Sequence, residues 1–255
     1  MNHPSRSAKY RSRRWLPFLL GVLVGAGVLA LVLSVLWGTV APPSDTPSAG
    51  NSTSPRPQVR LSVPALSQYP GYPTGCEILS ATMALHYVGD PVSPDTLIDR
   101  HLSTSTDWYF WEGVRYGPDP KEHFLGNPRS ENSYGCFSPV IRDMLCSYLR
   151  QPERVVDAGG LSLPQLCAQY VDNGLPVILW ASMEMRSLQN GASWVLPNGE
   201  TFTWPGGEHC MLLVGYDEES YYFNDPRAGD CVTYDRTLSE QRYEDMGRQA
   251  LVIAP

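Results

Sequence analysis

The chain has 255 residues, 42% of them hydrophobic and 18% charged, which is ample material for a packed core and unlike a disordered chain. Acids outnumber bases 26 to 19, and five of the bases (Arg6, Lys9, Arg11, Arg13 and Arg14) lie in the first fifteen positions; setting those five aside leaves 14 bases against 26 acids, a balance of about −12. That balance speaks against a nucleic-acid partner, because a phosphate binder presents a cationic surface.

Residues 1–15 form a basic tail, and residues 16–40, LPFLLGVLVGAGVLALVLSVLWGTV, carry no charge. Such a length crosses a hydrocarbon core of ~30 Å, so the pattern predicts one transmembrane helix over 16–40. A cleaved signal peptide is the alternative, but its apolar stretch usually spans ~7–15 residues, and the nearest small-x-small site, Thr39-Val40-Ala41, is followed by Pro42 and Pro43, which hinder cleavage. The basic flank places the N-terminus in the cytoplasm and everything after Val40 outside. Gly21, Gly25 and Gly27 would allow close helix pairing, although small residues are common in membrane helices generally. Residues 41–57 are rich in Pro, Ser and Thr, with little to bury, and read as a linker. Asn51-Ser52-Thr53 within it fits a glycosylation sequon, a weak signal. Residues 58–255 suit one globular domain.

Within that domain the first helix is predicted over 75–88, with Thr74 as N-cap, Glu77 completing a capping box, and Gly89 as the stop. Further helices are expected to begin at Ser93-Pro94, at Ser138-Pro139 and near Ser162. The rear half changes period. LPVILWA, HCMLLVGY, SYYFND and QALVIAP read as strands, and Asn198-Gly199 in WVLPNGETFTW marks a hairpin turn. Helices first and an antiparallel sheet after give an α+β class, with helices on one side and the sheet on the other.

Cys76 lies where a turn becomes a helix. There the positive end of the helix dipole favours the thiolate, although exported proteins also use such cysteines in disulfides or as packing. A nucleophilic thiol needs a base, and five histidines are candidates. His3 precedes the membrane segment, and His86 is ten residues further along the same helix, about 15 Å away. His101 and His123 read as surface residues. His209 opens an apolar strand after the turn WPGGE, and it reads equally as a base or as a satisfied structural histidine. Asp225 follows sixteen residues later in FNDP. A hairpin centred near Asp217 would set it opposite His209, where a carboxylate orients the ring, while Asn224 would face the other way. The alternative for Asp225-Pro226 is a plain turn. Gln68, in LSQYPGYPTGC, offers an amide N–H that, with the Cys76 N–H, would stabilise an oxyanion.

Taken in order, LSVPALSQYPGYPTGCEILSATMALHYVG, FLGNP, SYGCFSPVI, LPVILWA, GEHCMLLVGYD, YYFNDP and GRQALVIAP resemble the bacterial papain-like cysteine peptidases related to the bacteriocin leader (double-glycine) peptidases. The resemblance covers nearly the whole of 58–255. It implies a papain-like fold, with Cys76 as nucleophile, His209 as base and later acid, Asp225 as orienting residue and Gln68 as oxyanion donor. Transporter-linked leader peptidases carry a nucleotide-binding domain and work in the cytoplasm. Here no P-loop is present and the domain is expected outside, so double-glycine leaders are not the implied substrate.

Five further cysteines, Cys136, Cys146, Cys167, Cys210 and Cys231, leave room for up to two disulfides, and Cys210 is expected to face away from His209 as packing. The aromatic segment WYFWEGVRYGPDPKEHF is expected as a loop between helices, either walling a substrate cleft or pinned down by its own rings. No HExxH or CxxC spacing occurs, so neither metal nor organic cofactor is expected. The sequence therefore points to a membrane-anchored, outward-facing cysteine peptidase acting on peptide or protein substrates. The alternatives are a cell-wall amidase or endopeptidase, an acyl transferase, and a silent binding domain.

Overall fold

The computed structural model describes residues 58–255, so the predicted tail, membrane helix and linker lie outside the described residues. Among the described residues no helix is long and apolar enough to cross a membrane. Strand β1 (Val59–Arg60) is followed by helices α1 (Cys76–Tyr87) and α2 (Pro94–Arg100) and by short strands β2 (Thr104–Ser105), β3 (Tyr109–Trp111), β4 (Val114–Tyr116) and β5 (Phe124–Leu125). Then come α3 (Ser138–Tyr148), β6 (Val155–Asp157), α4 (Leu163–Gln169), β7 (Val177–Ser182), β8 (Gln189–Val195) and β9 (Thr201–Gly206). The chain ends with β10 (Glu208–Tyr216), β11 (Ser220–Asp225), β12 (Asp230–Asp235), α5 (Arg236–Asp245) and β13 (Ala250–Ile253). The α+β class holds.

The main sheet is antiparallel throughout, in the order β12-β11-β10-β7-β13-β6. β1 joins it on the stretch of β10 beyond its pairing with β7. Its central strands are buried on both faces, which explains their nearly unbroken apolar sequence. Ile178 and Trp180 of β7, Cys210, Leu212 and Val214 of β10, and Leu251 of β13 pack with Ile78 and Leu85 of α1. The alternate residues Val177, Leu179, Met211, Leu213, Ala250 and Val252 pack instead with Leu163 and Leu166 of α4 and Tyr243 of α5. The expectation of helices on one side is thereby corrected. The sheet's second face is equally apolar and draws its own two helices.

Four further expectations change. The predicted capping box is absent: helix α1 starts at Cys76, behind Gly75, with no side-chain cap. Thr74 Oγ1 donates to the Ser130 carbonyl at 2.9 Å, and Glu77 turns inward. The helix is buried from Cys76 through Leu85, so it has no polar face on which a capping glutamate could sit. For α3, the residue before the helix is Phe137, and Ser138 is already helical. The aromatic segment is not a loop. It supplies β3 and β4, which form a four-stranded sheet with the β8–β9 hairpin. All six cysteines are free thiols. Elsewhere Ser93 and Ser162 do cap, the latter with a full capping box, and Gly89 leaves α1 at φ +86°.

A candidate thiol active site

The β10–β11 hairpin carries His209 and Asp225, though not opposite each other. Leu212 pairs with Asn224 and Leu213 with Phe223, and the register shifts before Gly215, which pairs with Tyr222. This bulge adds a residue to β10, so Asp225 lies across from Met211 and His209 is its diagonal neighbour on the same face. Both side chains are long enough to meet: His209 Nε2 donates to Asp225 Oδ1 at 2.6 Å, and both residues are buried. An ionised carboxylate only accepts, so this bond puts the proton on Nε2 and leaves the Nδ1 lone pair free, with no hydrogen-bond partner among the described residues. Burial pushes the Asp225 carboxyl up, but hydrogen bonding and charge from His209 outweigh it, with the backbone N–H groups of Arg227 and Ala228 adding to the same side. The net pKa lies below the ordinary value. Asn224 faces the other way, as expected, and its Nδ2 donates to the Val63 carbonyl at 2.8 Å.

Gln68 spans the two halves of the site. Its backbone N–H donates to the carbonyl of Pro226, beside Asp225, at 2.8 Å, and its side-chain Nε2 donates to the Pro73 carbonyl, three residues before Cys76, at 2.6 Å. One amide hydrogen is thus used locally and one is left. The other described histidines are satisfied elsewhere, His86 with the Val92 carbonyl, His101 with Ser147 and His123 with Ser103, while His3 lies outside the described residues.

Cys76 is the first residue of α1 and is 8% exposed. No hydrogen bond joins it to His209 among the described residues. Its Sγ instead donates to Glu77 Oε2 at 3.4 Å, and the backbone N–H of Cys210 donates toward the sulfur. The expected preference for thiolate is reversed. Burial pushes the thiol pKa well up, followed by the charges of Glu77 and Glu208 and the thiol of Cys210, and the Cys210 N–H only partly offsets them. A helix N-terminus is worth about half a charge, whereas a carboxylate beside the sulfur is a whole one in a site with little water.

Glu77 and Glu208 are the two site residues that sequence reasoning missed. They directly follow Cys76 and directly precede His209. Read as a cap and as a turn residue, they hid among ordinary surface roles. The signal that would have found Glu77 is its helix, apolar or small at every neighbouring position. Cys76 Sγ and one oxygen from each of Glu77 and Glu208 all lie within 4.8 Å of one another, and these three residues are also the only described group arranged to hold a metal ion.

The aromatic segment divides. Trp108 packs between Trp194 and Tyr134, with the Arg115 guanidinium 4.1 Å over its ring, while Tyr109, Phe110 and Trp111 are exposed. Tyr109 and Tyr116 line a cavity whose walls include none of Cys76, His209, Asp225 or Gln68.

The Peptidase_C39 like family matches residues 60–251. The chain belongs to this family. The uncharacterized protein YvpB of Bacillus subtilis (strain 168) is 30% identical to this chain over 217 residues, covering 82% of each. A crystal structure assigned to a C39-like peptidase from Bacillus anthracis is 31% identical, with a TM-score of 0.66 over 78% of this chain and 98% of that one. The Peptidase_C39-like match spans Gln68 in the loop before α1, Cys76 on α1, His209 on β10 and Asp225 on β11.

Proposed function

We propose that the protein is a membrane-anchored cysteine peptidase, held in the membrane through residues 16–40 with its 58–255 domain outside the cell, acting on peptide or protein substrates. The observation that carries the catalytic part is the buried pair of His209 on β10 and Asp225 on β11 at 2.6 Å, β10 being also the strand whose other face receives α1, the helix that begins with Cys76. Its free Nδ1 lone pair and its charged partner are what a general base requires.

Cys76 and His209 lie toward opposite faces of β10, and no hydrogen bond joins them among the described residues. In this reading they are brought together when substrate binds at the start of β10. The Cys76 proton then passes to His209 Nδ1 as Sγ bonds to the substrate carbonyl carbon and the carbonyl π pair moves to oxygen. The Cys76 N–H and the free amide hydrogen of Gln68 receive that oxyanion. Collapse expels the amine, protonated by His209, and leaves an acyl-enzyme. Water, deprotonated by His209, then releases the acid and restores the thiol.

The test is hydrolysis of a peptide library by the full chain and by Cys76→Ala. Wild type is expected to cleave and the variant to lose activity, while a variant that still cleaves overturns the assignment. Release of muropeptides from cell wall, or acyl transfer to an added amine in preference to water, would replace peptidase by amidase or transferase with the same nucleophile. Protease shaving of intact cells, expected to remove the 58–255 domain, tests the topology.

A further inference from the structure

Four of the five large hydrophobic side chains that are exposed among the described residues, Tyr109, Phe110, Trp111 and Val114, sit on the β3–β4 hairpin. Its turn is tight: Glu112 and Gly113 both have positive φ, +48° and +80°, the combination whose twist matches the flanking strands. Alternation sends Tyr109 and Trp111 to the same face as their partners Tyr116 and Val114. There the Tyr109 and Tyr116 rings stack, with centroids 4.9 Å apart and planes 4° from parallel, and the Trp111 ring is 6.5 Å from Tyr116. Arg115, on the other face, lays its guanidinium over Trp108 and donates to the Tyr134 hydroxyl at 3.1 Å, so its charge is engaged there. The stacked tyrosines form one wall of a cavity of about 290 Å³ whose other walls include Asp107, Asp119, Glu122 and His123. None of these three carboxylates has a salt bridge among the described residues. Asp107 accepts from the Ser105 hydroxyl at 3.2 Å, and Asp119 accepts from the Lys121 N–H at 2.8 Å. The Lys121 side chain lines a different cavity.

Aromatic rings displayed in water on a tight hairpin mark a contact surface, and the charge beside them decides what it contacts. An anionic lipid surface is repelled by the three carboxylates. A second copy would bring the same carboxylates against its own, and a purely apolar partner would bury them unpaired. A neutral sugar stacks on the rings and offers hydroxyls but leaves the charge uncompensated. A lysine or arginine side chain meets both features. Its stem covers the rings and the apolar edge formed by Val195, Leu196 and Pro197, while its cation lies against a tyrosine face and donates to the carboxylates. We propose that the cavity and the Tyr109–Trp111 face form a docking site for a basic peptide segment, with one lysine or arginine entering the cavity and the neighbouring residues lying on Trp111 and Val114. The site is separate from Cys76 and His209 but joined to them by the fold: β4 pairs with β8 at Tyr116 and Val195, β8 pairs with β9, and β9 leads through Gly207 into β10. A peptide held at the hairpin is thus held on the sheet that runs into the His209 strand. Docking needs no catalysis; its use in selecting substrates rests on the peptidase reading above.

The experiment is fluorescence polarisation of a rhodamine-labelled, end-blocked Gly-Ser-Lys-Gly-Lys-Ser peptide titrated with the full-length protein in zwitterionic detergent micelles, on a Cys76→Ala background so that the probe stays uncut. The lysine peptide is expected to bind about tenfold more tightly than the same peptide with glutamine at both lysine positions. Its binding is expected to weaken several-fold as ionic strength rises from about 0.05 to about 0.5 M, because exposed charges are screened. Asp119→Asn with Glu122→Gln, and separately Tyr109→Ala, are each expected to weaken the lysine peptide about tenfold and to erase the difference between the two peptides. Equal binding of the two peptides before any cavity substitution overturns the proposal. So does a folded Asp119→Asn, Glu122→Gln protein that binds the lysine peptide undiminished. Glu122 is exposed and its carboxylate has no hydrogen-bond partner among the described residues, so Glu122→Gln alone decides in the same way should the other variants fail to fold. Binding of a chitooligosaccharide that is lost in Trp111→Ala, with no binding of the lysine peptide, would give the face to a glycan and overturn the proposal. Cys76-dependent hydrolysis without lysine-peptide binding would remove the docking site alone. Lysine-peptide binding in a protein that hydrolyses nothing would uphold the docking site and remove the peptidase reading.

Discussion

His209 and Asp225 are held to each other by one short bond, and that bond fixes which imidazole nitrogen can act as a base. Asp225→Ala is therefore expected to lower kcat/KM by roughly 10²–10⁴-fold, the range associated with a general base, with little change in KM. Steady-state kinetics on any cleaved peptide checks this, and a drop confined to KM would assign Asp225 to substrate binding instead. Gly135 is a second single-residue test. Its φ is +123°, and a Cβ there would meet Glu77 Oε1 at 2.5 Å, so Gly135→Ala combines backbone strain with displacement of a buried carboxyl. A loss of about 2 kcal/mol or more is expected, read as a Tm lowered by roughly 5 °C. At this scale the sequence disclosed the residues whose chemistry is tied to a motif: Cys76 before a helix, His209 before a strand, Asp225 before a proline. It concealed Glu77 and Glu208 because a glutamate in a first helical turn or beside glycines usually faces water, and only the burial of α1 on all sides turns one inward.

At the level of elements, β7, β10 and β13 were legible as strands because short apolar runs rich in Val, Ile and Leu, set between turn-forming residues, are what buried strands use. Their two-sided burial was not legible, because the helix covering much of the second face, α5, has the polar sequence RTLSEQRYED and anchors itself chiefly through Tyr243 and Ser239. The register of the β10–β11 hairpin was equally hidden, since a bulge leaves the alternation of apolar residues intact on either side of it. Tyr243 offers a test of how α5 is held. Its ring is buried, and its hydroxyl has no hydrogen-bond partner among the described residues. Tyr243→Phe removes only that hydroxyl and is expected to leave stability unchanged or raise it by about 1 kcal/mol. Tyr243→Ala removes the ring and is expected to cost roughly 3–5 kcal/mol. Chemical denaturation of the two variants distinguishes them, and a destabilised Tyr243→Phe would mean that the hydroxyl is bonded.

For the molecule as a whole, the buried carboxyl pair sets a direction for stability against pH. Burial raises the Glu77 pKa from 4.5 to about 7 and raises that of Glu208 further, whereas Asp225 is held below its ordinary value. A raised carboxyl binds its proton more tightly folded than unfolded, so its contribution is fully present below the unfolded pKa and is lost as pH rises through the folded one. Asp225 has the opposite sign, its contribution being lost only as pH falls through its depressed value, so it is already in place across this window. Between about pH 4.5 and 7 the protein is therefore expected to lose stability as pH increases, with Glu77 alone accounting for roughly 3 kcal/mol. Thermal unfolding at steps through that range measures it. Glu77→Gln cannot titrate and is expected to halve the slope, leaving the share due to Glu208. A wild-type Tm that climbs steadily from pH 4.5 to 7 would show that both carboxylates are ionised and paired in the folded protein, with some cation or donor satisfying them beside Cys76.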